Sequence, residues 1–229
     1  MCGRTSLYVD PAELEAAFDA TIAFDYRPRY NIAPRDDLAV VTNVDDETID
    51  RQEWGLVAPW ADSPDDGPRP INARAETVDE KPTFEAAFRE RRCLVLADGF
   101  YEWQAAEGRG PKQPYRVHLA GNAPFAFAGV WNRHEFGGEP FESVVIVTTE
   151  ANDVVAPIHD RMPVIVDRGR EREWLHAGPD DAKRLLRPYA GDDLRAYPIS
   201  TRVNDPSNDD PQVLVEESTQ QRGLGEFGS

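Results

Sequence analysis

Lysine is almost missing from this chain. Of its 229 residues only Lys81, Lys112 and Lys183 are lysine, so nearly all of the 25 basic side chains are arginine. Cysteine is just as scarce, with Cys2 and Cys93 alone. Two thiols cannot build the disulfide framework that staples small secreted domains, so a reducing, cytoplasmic setting is expected. No apolar run approaches the ~20 residues a membrane helix needs, and no membrane partner is expected. The stretch from Met1 to Tyr8 lacks the apolar segment of a secretory signal. Four histidines, His118, His134, His159 and His176, lie far apart in sequence with no nearby cysteine pair. No metal site and no other cofactor is therefore expected.

Positive charge is also in short supply: 42 acidic residues oppose the 25 basic ones, for a formal net charge of −17. The acidity is spread over the loops, as in Asp45-Asp46-Glu47, Asp65-Asp66, Asp180-Asp181, Asp192-Asp193 and Asp209-Asp210. Spread charge is a means of solvation, and with so little lysine it reads as adaptation to molar salt in a halophilic host. There the Debye length falls to ~3 Å and self-repulsion is damped. Net acidity does not exclude a nucleic-acid partner, but it requires that any such site be a local, arginine-lined groove.

The apolar content, 40% with five tryptophans, suffices for one compact domain. Asp10-Pro11-Ala12-Glu13-Leu14 reads as an N-cap, a proline in the first turn and an acidic early position, with Leu14, Ala17 and Phe18 as the buried stripe. Strands are expected over 38–43, 49–56, 93–97, 100–104, 114–119, 125–130, 143–149, 163–166 and 194–199. Short helices are expected over 83–88, 170–175 and 179–186, with one or two helical turns at 151–156. Many short strands broken by Gly and Pro, with helices out of strict alternation, give an α+β fold class. We expect one domain over 1–215, with mixed, mostly antiparallel sheets around a barrel-like core and short flanking helices. A polar, Gly-rich tail follows over 216–229.

Cys2 carries the most specific chemistry. Removal of the initiator Met is expected when a small residue follows it, and would leave an α-amine and a thiol on neighbouring carbons. The α-amine has a reference pKa of about 7.7–8.0, so part of it is neutral and nucleophilic near pH 7. It condenses with an aldehyde to an imine, and the thiol then closes a five-membered thiazolidine, a ring no internal Cys or Lys can form. Three further polar residues stand in distinctive surroundings: Asn72 in Ile71–Glu76, Glu102 in Ala97–Trp103 and His159 in Ile158–Pro163. Read singly, Asn72 equally caps a turn, whereas Glu102 reads as solvent-facing from a strand and His159 as a structural histidine.

These stretches do not stand alone. With Met1–Arg4, Tyr30–Pro34, Trp54–Trp60, Arg92–Leu94, Phe125–Trp131, Thr148–Ala151 and Ser200–Asn204 in order, the chain resembles the SRAP family, the SOS-response-associated or abasic-site processing proteins. The resemblance runs from residue 1 to about 215. It implies a single-domain monomer with a basic groove for single-stranded DNA, often at a junction with duplex. It also implies a covalent, thiazolidine-type crosslink between the N-terminal cysteine and the ring-opened sugar of an abasic site.

Carried onto this chain, Cys2 is the nucleophile, Asn72 orients the terminus or sugar, Glu102 shuttles protons, and His159 is a general acid or base. Arg4, Arg74 and Arg161, each within two residues of these positions, are expected to clamp phosphates. Trp60 is expected to stack or wedge, and Thr148 and Thr149 complete the expected DNA contacts, while Trp54 and Trp103 are assigned to the core. The main rival is a cysteine-type peptidase acting on itself or on other chains. A third reading, a binding module without chemistry, needs the arginines but not Cys2.

Overall fold

The computed structural model describes residues 2–105 and 111–217. Of the tail expected over 216–229, residues 218–229 lie outside the described part. The strands are β1 (Thr5–Leu7), β2 (Thr21–Ile22), β3 (Arg29–Ile32), β4 (Asp37–Thr42), β5 (Asp45–Trp54), β6 (Asn72–Arg74) and β7 (Arg92–Ala97). They continue with β8 (Gly99–Gln104), β9 (Gln113–Leu119), β10 (Phe125–Phe136), β11 (Glu139–Glu150), β12 (Arg161–Pro163) and β13 (Leu194–Pro198). Four short helices flank them: α1 (Pro11–Phe18), α2 (Glu85–Glu90), α3 (Glu171–His176) and α4 (Pro179–Leu185).

Two sheets share the core. One has the order β13-β9-β8-β1-β3. In the other, β11-β10-β7-β4-β5 closes on itself because β11 also pairs with β5, Ser143 opposite Glu53 and Val144 opposite Trp54. The closed path makes the barrel that the expected α+β class called for, and it leaves none of its five strands a free edge. Every residue of β7 is buried, as a strand covered on both faces requires. Close packing reaches the backbone at Gly129 of β10, where a methyl group would stand 2.8 Å from Cys93 Sγ and 2.9 Å from Val95 Cγ2. We expect Gly129→Ala to destabilise by about 1–3 kcal/mol, measured by urea denaturation.

Some elements differ from expectation. Strands β10 and β11 run on through residues 131–142 to a Gly137-Gly138 turn, both with positive φ, 63° and 88°. The apolar pattern ends before that outer, polar half of the hairpin does, whereas two glycines meet a tight turn's demand for left-handed backbone. In α1, Asp10 caps Ala12 N at 2.9 Å as expected, but Leu14 alone is buried and Ala17 is exposed. Helix α2 starts two residues later than expected and has no side-chain cap. The stretch 151–156 is a turn held by Asn152 Oδ1, which accepts from the backbone N–H of Val154 and Val155. Strand β12 lies at 161–163 rather than 163–166, and Ile165 makes an isolated bridge to Phe127.

Candidate active site

Strand pairing carries the amino end to Glu102. Strands β1 and β8 are antiparallel, with Thr5 opposite Phe100 and Ser6 opposite Gly99, and Tyr101 N donates to the Arg4 carbonyl at 3.0 Å. Continued outward, that register sets Gly3 opposite Glu102 and Cys2 opposite Trp103. Cys2 is fully buried, and its thiol donates to the Arg4 carbonyl oxygen at 3.7 Å. Burial pushes the thiol pKa far above its ordinary value, and the negative charge of Glu102 adds to the rise. The thiol is therefore neutral at pH 7. Cys93, the other cysteine, is likewise a buried free thiol.

Glu102 is 1% exposed, so it does not lie on a solvent face. Strand β8 is covered on both sides: Phe100 packs in the main core, while Tyr101 packs with Ile199, Val203 and Val213. In these dry surroundings burial raises the Glu102 carboxyl to a pKa of about 7, with the positive amino terminus opposing the rise and Asp160 adding to it. A carboxyl poised there can give or take a proton at neutral pH.

The loop that carries His159 is tied to the end of β8, where Gln104 Nε2 donates to the Pro157 carbonyl at 2.9 Å. The imidazole pKa is lowered, by burial first and then by the amino terminus. His159 Nδ1 lies 3.0 Å from both the Arg161 N–H and Asp160 Oδ1. A neutral ring accepts from the N–H, so we assign the proton to Nε2 and treat the carboxylate as a neighbour rather than an ion pair.

Asn72 begins β6, which, like the strand β12 that follows the His159 loop, pairs with β11. The strand runs parallel to β11, with Asn72 opposite Ile146 and Arg74 opposite Thr148. Strand alternation turns Ala73 into the core and puts Asn72 and Arg74 together on the other face. Both amide atoms of Asn72 are buried without a hydrogen-bond partner among the described residues. Each such atom costs about 1–3 kcal/mol, which suits a position that a ligand completes. Arg161 joins the two elements: its guanidinium pairs with Glu76 at 2.6 and 3.0 Å and donates to the Thr148 carbonyl at 2.7 Å.

The expected DNA contacts fare unevenly. Trp60 is 61% exposed, at the tip of a loop whose base is anchored by Asn132, Ser143 and Arg69. Arg74 is exposed, and its side chain makes no hydrogen bond or ion pair among the described residues. Arg161 is already paired with Glu76. The Arg4 guanidinium donates to Asn31 Oδ1 and to the carbonyls of Val203 and Asn204, so its partners are protein atoms rather than a displayed anion site. Thr148 and Thr149 are buried, and the Thr148 hydroxyl faces the Ala73 carbonyl at 3.4 Å, which removes both side chains from the surface. Trp54 is core as expected, but Trp103 is only half-buried and donates to Asn204 Oδ1 at 2.8 Å.

Two side chains important to this geometry, Gln104 and Asn31, carry no local signal that would single them out in the sequence. An open cleft of about 500 Å³, lined in part by Arg29, Arg35 and Arg51, includes none of the four candidate residues. Each of those arginines faces a carboxylate, which makes the cleft a poor match for a polyanion.

Residues 1–206 match the family model described as SOS response associated peptidase (SRAP). The chain is 40% identical to the abasic site processing protein YoaM of Bacillus subtilis, over 95% of this chain and 99% of that protein. It is 31% identical to the abasic site processing protein HMCES of Mus musculus, over 94% of this chain and 76% of that one. A crystal structure of a protein from Bacteroides thetaiotaomicron superposes with a TM-score of 0.85 at 26% identity, covering 95% of this chain and all of that one. No helix among the described residues is long and apolar enough to cross a membrane. With both the family model and a relative of 40% identity spanning nearly its whole described length, the chain belongs to the SOS response associated peptidase (SRAP) family.

Proposed function

We propose that this chain processes abasic sites in single-stranded DNA by bonding covalently to the opened sugar through Cys2. The observation that carries the reading is the placement of Cys2 beside Glu102, a buried carboxyl whose pKa is about 7. Abasic-site processing is what the names of the bacterial and vertebrate relatives state for those proteins.

Once Met1 is removed, the Cys2 amine adds to the C1′ aldehyde of the ring-opened deoxyribose. Glu102 in its acid form protonates the departing hydroxyl, so the carbinolamine loses water and becomes a protonated imine, with Glu102 left as the carboxylate. The neutral Cys2 thiol then adds to the imine: sulfur bonds to C1′, the C=N π pair returns to nitrogen, the thiol proton passes to the Glu102 carboxylate and restores its acid form, and a thiazolidine closes. The uncharged His159 imidazole, with its proton on Nε2, donates toward the sugar oxygen, and the Asn72 amide holds the opened sugar. Exposing an abasic sugar requires no intact base to be unstacked, which favours the lesion without reading sequence. Arg74 and Trp60, exposed on the surface, are the remaining candidates to hold the flanking phosphate and base.

The test is incubation with an abasic single-stranded oligonucleotide, followed by intact mass measurement and a denaturing gel. Wild type is expected to lose Met1 and form a heat-stable adduct. Cys2→Ser is expected to form at most an imine, trapped only by borohydride. Equal durability of the two adducts would end the thiazolidine reading, and turnover of peptides without DNA would favour the peptidase reading instead.

A further inference from the structure

The carboxy-terminal segment 199–209 is laced across the start of the chain, and Asn31 is where the laces meet. Asn31 is fully buried on β3. Its Oδ1 accepts from Arg4 Nη1 at 3.2 Å, and its Nδ2 donates to the carbonyls of Val203, Asp205 and Asn208 at 3.2, 3.1 and 3.0 Å. Its backbone N–H donates to Asp209 Oδ1 at 2.9 Å, and the Asp209 carboxylate also holds Arg29 and the Tyr30 N–H. Arg4 in turn donates to Val203 and Asn204. One amide therefore joins β3, the segment 203–209 and the residue whose carbonyl receives the Cys2 thiol.

Arg4 has no carboxylate within ion-pairing distance among the described residues, although Asp36 and Asp205 act on it from farther away, so neutral oxygens receive its hydrogen bonds. The segment packs on its own small cluster of Ile199, Val203, Val213 and Tyr101, separate from the main core. The strap also holds both neighbours of Glu102: Tyr101 through that cluster, and Trp103 through Asn204. The geometry points to Asn31 as a positioning residue for the nucleophile. It fixes Arg4, whose carbonyl orients the Cys2 sulfur toward the carbon that the amine has attacked. This inference rests on the crosslinking reaction proposed above.

Misplacement by about 1 Å can cost up to 100-fold in rate, and here the cost falls on one step. The amine can still condense with the aldehyde when Arg4 shifts, whereas ring closure needs sulfur and nitrogen on the same carbon. Asn31→Ala is therefore expected to slow conversion of borohydride-trappable imine to heat-stable adduct about 10- to 100-fold, so that imine accumulates. A purely structural role would lower both species in proportion. Arg4→Met keeps the stem, loses the donors and alters a half-exposed side chain, so it serves as the second variant if Asn31→Ala does not fold, and it should show the same imine build-up. In the double variant the two effects should overlap rather than multiply. An unchanged imine-to-adduct ratio in folded Asn31→Ala or Arg4→Met, beside a normal wild-type adduct, overturns this inference alone. Absence of any wild-type adduct overturns the proposed reaction and this inference with it.

Discussion

Glu102→Gln is expected to make the protein more stable and nearly inert. Burial holds the folded-state pKa of Glu102 near 7, against 4.5 for an ordinary glutamate, so the folded chain binds this proton more tightly than the unfolded one. Below about pH 4.5 the carboxyl is protonated in both states and costs nothing. As pH rises from about 4.5 to 7 the unfolded chain gives up this proton while the folded chain keeps it, so the stability present in acid is lost, and no more is lost once the folded carboxyl also ionises. A difference of 2.5 units (7 minus 4.5) at about 1.4 kcal/mol each amounts to about 3.5 kcal/mol at most. Glutamine has no charge to bury, so its advantage over wild type should grow between pH 4.5 and 7 and then level off, as read from denaturant midpoints across pH. Crosslinking should slow about 100-fold or more, the usual range for loss of a general acid–base. The rate change expected of wild type near pH 7 should vanish in the variant. Retained activity together with the stability gain would make Glu102 a buried liability without a role in the chemistry.

Arg92→Met should have the largest effect on folding. Arg92 is 4% exposed and has no carboxylate partner among the described residues. Its guanidinium instead donates to five carbonyls: Trp174, Phe88, Arg89 and Leu175 at 2.7, 2.8, 3.5 and 3.2 Å, and Ala177 as well. These lie at the C-terminal ends of α2 and α3, where the last turns leave carbonyls without helical partners and carry the negative end of the dipole. The group also lies 5.7 Å from the Trp174 ring and 6.0 Å from that of Phe88. Methionine would fill the stem's space but strand the carbonyls, and a loss of about 3–5 kcal/mol is expected, as when one side of a buried charged contact is removed. Lysine should rescue little, since its point charge has three donors and no planar fork. Urea denaturation of both variants decides the matter, and a loss under 1 kcal/mol for Arg92→Met would mean that water replaces the arginine.

The residue types that matter chemically stand out along the chain because their meaning is local. A cysteine after the initiator Met has the same amine and thiol geometry in any fold. The Asp10 cap, most strands and the mixed α+β class are equally visible, because caps and alternation act over a few residues. Glu102 is not legible in this way. A charge between Tyr101 and Trp103 reads as solvent-facing until the strap and main core are seen to cover both faces of β8. Thr148 and Thr149 mislead in the opposite direction, since nothing nearby announces that β6 will pair alongside β11 and bury them.

Arg4 makes the same point for arginine: its expected role is to clamp phosphate, and by structure it is, like Arg92, a hydrogen-bond hub. What the sequence alone determined is the inventory of reactive groups, the SRAP family and the order of its motifs. What the tertiary structure decided is protonation and partnership: which carboxyl is dry, which guanidinium meets helix ends, and which amide laces residue 31 to residues 203–209. The division follows from range, since propensities and bond connectivity act between neighbours, whereas desolvation depends on every segment that folds over a site.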